Sequence, residues 1–160
     1  MTLKLMSRRS VVTGLLLICG PVRVIAKPCA IPKILFVCQA GTVKSAIARE
    51  LLKRRALSKG ILVSAESRGV HPEDHISPLL AGRLKRDKID PLSDPLRQFS
   101  PGDVETADIV IAFDEAVQAP GLEKARSWQV AAWNSQYDDA KADTSENIEV
   151  LLAELAARRC

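Results

Sequence analysis

The sequence predicts an α/β protein built on a doubly wound, four-stranded parallel sheet with helices on both faces. Short apolar runs rich in β-branched and aromatic residues alternate with longer segments of helical period. Strands that alternate with helices bury a parallel sheet on both sides through right-handed crossovers. The chain has 160 residues, enough for one domain with its own core and too few for two of ordinary size.

The first strand is the apolar run of residues 34–37, which ends at Cys38. The period then changes: Val43, Ile47 and Leu51 recur every four residues with Ala48 and Leu52 beside them, and Arg49, Glu50, Lys53 and Arg54 fall on the other side of an amphipathic helix. Residues 61–65 read as a second strand. Residues 76–88 read as a helix through Ile76, Leu79, Leu80 and Leu84. Pro91 and Pro95 mark a loop, and Ser100, ahead of Pro101, is an N-cap signal for a short helix to Ala107. Residues 108–113 form the clearest further strand. A helix over 116–125 is interrupted by Pro120 and Gly121, residues 128–133 read as a fourth strand, and Thr144 or Ser145 caps a last helix whose apolar face is Ile148, Leu151, Leu152 and Leu155.

The formal charge of +4 divides unevenly. Lys4, Arg8, Arg9 and Arg23 lie in residues 1–26 with no acid among them and account for all of it. The rest of the chain is neutral, which gives no case for a nucleic-acid partner. Residues 1–26 read as an export signal: the paired Arg8 and Arg9 of the twin-arginine kind, an apolar stretch over 11–22 too short to span a bilayer, and a small-residue cleavage site ending at Ala26. The expected domain is then residues 27–160, in the periplasm or secreted (cytoplasmic if the leader does not function). The export machinery is a partner, and the membrane matters only during export. Cleavage leaves Cys29, Cys38 and Cys160. Their number and position suggest a Cys29–Cys160 pair that leaves Cys38 free.

The most informative stretch is Cys38, Gln39, Ala40, Gly41, Thr42, Val43, Lys44 and Ser45. It places a thiol on a strand-to-helix turn facing a helix N-terminus, where unpaired N–H groups and the dipole favour an oxyanion and a thiolate. Gly41 lets the loop curl into a nest of amides. A cation at Lys44, in the first turn, opposes the dipole unless an anion sits nearby. Ser45 can donate its hydroxyl to the sulfur. His71 and His75 read as surface residues. No metal or other cofactor is expected.

These residues give the chain from about Ile31 to Leu155 a resemblance to the low-molecular-weight protein tyrosine phosphatase family, which also includes thioredoxin-coupled arsenate reductases. The signature is an apolar strand, Cys-x5-Arg-Ser, a helix, and a late Asp-Pro. Val37, Cys38, Gly41 and Ser45 match it, as do Ser64-Ala65 and the segment from Ala107 to Asp114. The resemblance implies a flavodoxin-like strand order 2-1-3-4. It also implies a phosphomonoesterase working through a cysteinyl-phosphate on a phosphorylated protein or small phosphate ester. Cys38 would be the nucleophile, with Lys44 and the loop residues Gln39, Ala40, Gly41, Thr42 and Val43 holding the phosphate. Ser45 would stabilise the thiolate, and Asp139, or its neighbour Asp138, on the late loop would act as acid. Three positions depart from the signature: Lys44 stands for Arg, Thr42 for Asn in a left-handed loop position, and Ala140 for the proline after the acid. They imply reduced activity. The alternatives are an exported module that binds a free oxyanion without turnover and, less favoured, a thiol-dependent arsenate reductase, since no cysteine lies between Gln39 and Arg159 to resolve Cys38.

Overall fold

A computed structural model describes residues 30–158. The proposed leader, its cleavage site, Cys29 and Cys160 lie outside them. Four strands, β1 (Lys33–Cys38), β2 (Ser64–Gly69), β3 (Ile109–Phe113) and β4 (Arg126–Trp128), pair in the order β2-β1-β3-β4, all parallel. This is the doubly wound sheet expected from the alternation of elements. β1 is central, and its alternate residues go to opposite faces. Ile34, Phe36 and Cys38 join a large core beneath α1 (Lys44–Ser58) and α4 (Tyr137–Ala157), with Leu80 and Leu84 of α2 (Pro78–Arg86). Leu35 and Val37 face a smaller core that includes Leu122 and Val104, the latter in α3 (Pro101–Glu105). Ser77 caps α2 by accepting from the Leu80 N–H, and a capping box of Ser100 and Asp103 opens α3. Among the described residues no helix is long and apolar enough to cross a membrane.

Several boundaries differ from the sequence reading, each for a physical reason. The second strand is residues 64–69, not 61–65. Its register is set by pairing with β1, Lys33 opposite Ser64 through Cys38 opposite Gly69, and its inward Ser67 and Arg68 are buried by polar contacts that hydropathy does not register. The expected helix over 116–125 is a single 3-10 turn, Asp114–Gln118, because Pro120 and Gly121 (φ +92°) stop it. The fourth strand is Arg126–Trp128, and the chain leaves the sheet edge after it. The last helix begins at Tyr137 rather than at Thr144 or Ser145. Thr144 is fully buried within it and donates to the Ala140 carbonyl at 2.7 Å, satisfying its hydroxyl inside the helix.

Candidate active site

The site grows from the carboxyl end of β1. Cys38, 5% exposed, is a free thiol. Its Sγ lies 3.1 Å from Ser45 Oγ and accepts from the Gly41 N–H at 3.2 Å. Ser45, fully buried in the first turn of α1, also reaches the carbonyls of Gly41 and Arg68, each at 3.3 Å.

The loop's curvature follows from what holds its carbonyls. The oxygens of Cys38, Gln39 and Ala40 accept from the amides of Val70, His71 and Glu73 at 3.0, 2.8 and 3.0 Å. A planar peptide points its N–H away from its carbonyl. The amides of Gln39, Ala40 and Gly41 therefore turn away from the partners of those carbonyls, and that of Gly41 reaches the sulfur. Gly41 has φ +77°, and a Cβ there would lie 2.8 Å from both Gly69 N and Leu96 Cδ1. Gly69 is equally constrained, since its Cβ would meet the Ala40 carbonyl at 2.8 Å. The left-handed residue of the loop is thus Gly41, while Thr42 is absent from the positive-φ positions. The strain expected for a β-branched Thr42 does not arise. Thr42 is instead 1% exposed with a hydroxyl that has no hydrogen-bond partner.

Lys44 opens α1 and is tied down. Its Nζ donates to Asp114 Oδ2 and to the Val130 carbonyl at 3.3 Å. The counter-charge that a cation in a first helical turn requires is supplied by Asp114, a residue not singled out in the sequence as part of the site. The sequence signal was an acidic residue directly after β3, the strand beside β1; in the structure it opens the 3-10 turn at φ +50°. Strained polar residues at strand ends mark functional positions.

Of the expected site residues, Cys38 and Ser45 are in direct contact, Gln39 through Val43 form the loop between them, and Lys44 flanks it. Asp138 and Asp139 are both exposed in the first turn of α4, on a helix rather than on the loop before it. One turn further along, Asp143 Oδ2 accepts from the Ala131 N–H at 3.0 Å, so the face of α4 shared by Asp139 and Asp143 borders the segment whose Val130 carbonyl touches Lys44. Arg49, read as a solvent-facing residue, is 1% exposed. His71 and His75 are exposed, and no group able to hold a metal occurs among the described residues.

The sequence model of the low molecular weight phosphotyrosine protein phosphatases matches residues 33–149. The chain belongs to that family. Solved structures of the same fold include YfkJ from Bacillus subtilis, 18% identical with a TM-score of 0.66 over 84% of this chain and 100% of that one. A low molecular weight protein tyrosine phosphatase from T. tengcongensis is 20% identical, with a TM-score of 0.64 over 77% and 99%. A thioredoxin-dependent arsenate reductase from Corynebacterium glutamicum is 21% identical, with a TM-score of 0.62 over 81% of this chain and 64% of that one. Among curated proteins none matches the sequence. Within this member of the phosphotyrosine phosphatase family, Lys44 lies six residues after Cys38 and directly before Ser45.

Proposed function

We propose that this protein is a slow phosphomonoesterase that works through a cysteinyl-phosphate. The observation that carries the reading is the sulfur of Cys38, held between the Ser45 hydroxyl and the Gly41 amide at the start of α1. A thiolate there is the nucleophilic form. It attacks phosphorus, an S–P bond forms, and the bond to the leaving oxygen breaks. The loop amides and Lys44 bear the charge on the three remaining oxygens. We assign the proton for the leaving oxygen to Asp139. Water then attacks the phosphorus of the intermediate and gives a proton to the Asp139 carboxylate, the S–P bond breaks, and phosphate leaves with the thiolate restored. The substrate is a phosphorylated protein or a small phosphate ester, met in the periplasm if residues 1–26 direct export.

A second reading has its own support. Lys44 is already engaged by Asp114 and Val130, and an ammonium lacks the planar fork that grips two phosphate oxygens at once. Such a site suits an oxyanion-binding protein without turnover. Release of p-nitrophenol from its phosphate separates the two. The phosphatase predicts weak activity that Cys38→Ser abolishes, that Asp139→Asn lowers about a hundredfold, within the usual range for a general acid, and that Lys44→Arg raises. No release from any of these proteins, with inorganic phosphate still protecting Cys38 from alkylation, favours the binding protein.

A further inference from the structure

The most completely bonded buried cation of the described residues lies behind the loop, not in it. Arg49 is 1% exposed. Its Nη1 donates to Ser67 Oγ at 2.8 Å, and its Nη2 donates to the Pro91 carbonyl and to Ser93 Oγ, each at 3.0 Å. Its Nε donates to Glu50 at 2.8 Å and lies 3.3 Å from Asp94. One planar guanidinium thereby joins α1, β2 and the segment over residues 91–94, and only arginine carries donors in so many fixed directions.

The chain directly after that segment, residues 96–99, bears on the loop in two places. Leu96 sits where a Cβ on Gly41 would come within 2.8 Å of its Cδ1. Arg97 and Phe99 bracket Gly69 through backbone bonds of 3.0 and 2.8 Å, and Gly69 in turn lies against the Ala40 carbonyl. Arg49 is also one helical turn from Ser45, on the same face of α1. The two reach consecutive β2 residues, Arg49 to Ser67 Oγ and Ser45 to the Arg68 carbonyl. Gly41, Thr42, Arg49, Ser67 and Leu96 line one narrow cleft.

We propose that Arg49 is a positioning residue for the anion-binding loop. Its guanidinium clamps residues 91–96 against the back of the loop and so fixes the curvature that aims the amides of residues 39–44. The inference rests on the loop being an anion site, but its clamp can be tested without any anion. Hydrogen exchange is followed by mass spectrometry on the full chain, wild type against Arg49→Lys and Arg49→Ala, with Arg55→Met, a change on the same helix α1 that removes an ion pair to Glu149 of α4, as control. Local opening sets exchange rates, so losing the clamp speeds exchange in segments 39–45 and 91–97 together by about tenfold, with α4 unchanged. Millimolar methylguanidinium restores slow exchange in Arg49→Ala. The phosphate concentration that half-protects Cys38 from iodoacetate also rises severalfold in Arg49→Lys and stays at the wild-type value in Arg55→Met. The inference is overturned by faster exchange confined to 91–97, or by a uniform increase that includes α4. If phosphate fails to protect even the wild type while the two segments still loosen together, the clamp stands and the phosphatase reading falls.

Discussion

The two sides of β1 are built by opposite means. Toward β2 the interior is polar: Ser45, Ser67, Arg68 and Arg49 are all buried and hydrogen-bonded. Toward β3 and β4 it is aromatic. Phe36 lies 6.2 Å from Phe113 and 5.7 Å from Trp128, and Phe113 meets Trp128 edge-on at 5.8 Å, with the Lys44–Asp114 pair at its upper end. The polar side fixes directions, since each bond has one geometry, and it positions the sulfur and the loop. The aromatic side supplies burial, which is non-directional, and leaves Lys44 in a partly buried pair with Asp114 that an incoming anion can compete for. A fixed sulfur beside a cation with a competing partner is the physical basis of the proposed binding without fast turnover.

The comparison breaks first on its aromatic side. Phe36 is fully buried beneath Cys38, and Phe36→Ala is expected to cost about 3–5 kcal/mol by urea unfolding. A cost near 1 kcal/mol would mean that the aromatic cluster carries little of the stability. The smaller effect sharpens the polar side. Thr42 is the one buried hydroxyl there without a partner. Thr42→Val therefore leaves stability unchanged or raises it by up to about 1 kcal/mol, read as a higher thermal midpoint with phosphate protection of Cys38 intact. A clear loss of stability would reveal a bond that the folded chain makes through that hydroxyl.

The sequence made β1, β3, the central place of the Cys38 loop and the parallel sheet legible, because apolar period and turn chemistry are local. What it hid depended on contacts distant along the chain. Arg49 falls on the polar side of its helix by spacing alone, yet carbonyl and hydroxyl partners about forty residues away make it a core residue. β2 reads as the polar string Ser-Ala-Glu-Ser-Arg-Gly, and only pairing with β1 reveals it as a strand. Asp114 gained its role by lying across the sheet from Lys44. The start of α4 was missed because Asp138 and Asp139 look like loop residues, although acidic residues in a first turn favour a helix N-terminus.

The central claim is that Cys38 sits in a working oxyanion site. Full-length protein treated with iodoacetate, with and without inorganic phosphate, tests it most directly, with chloride at matched ionic strength as control. The structure predicts that phosphate slows carboxymethylation of Cys38 in a saturable way and that chloride does not. Equal rates in the two salts would contradict it.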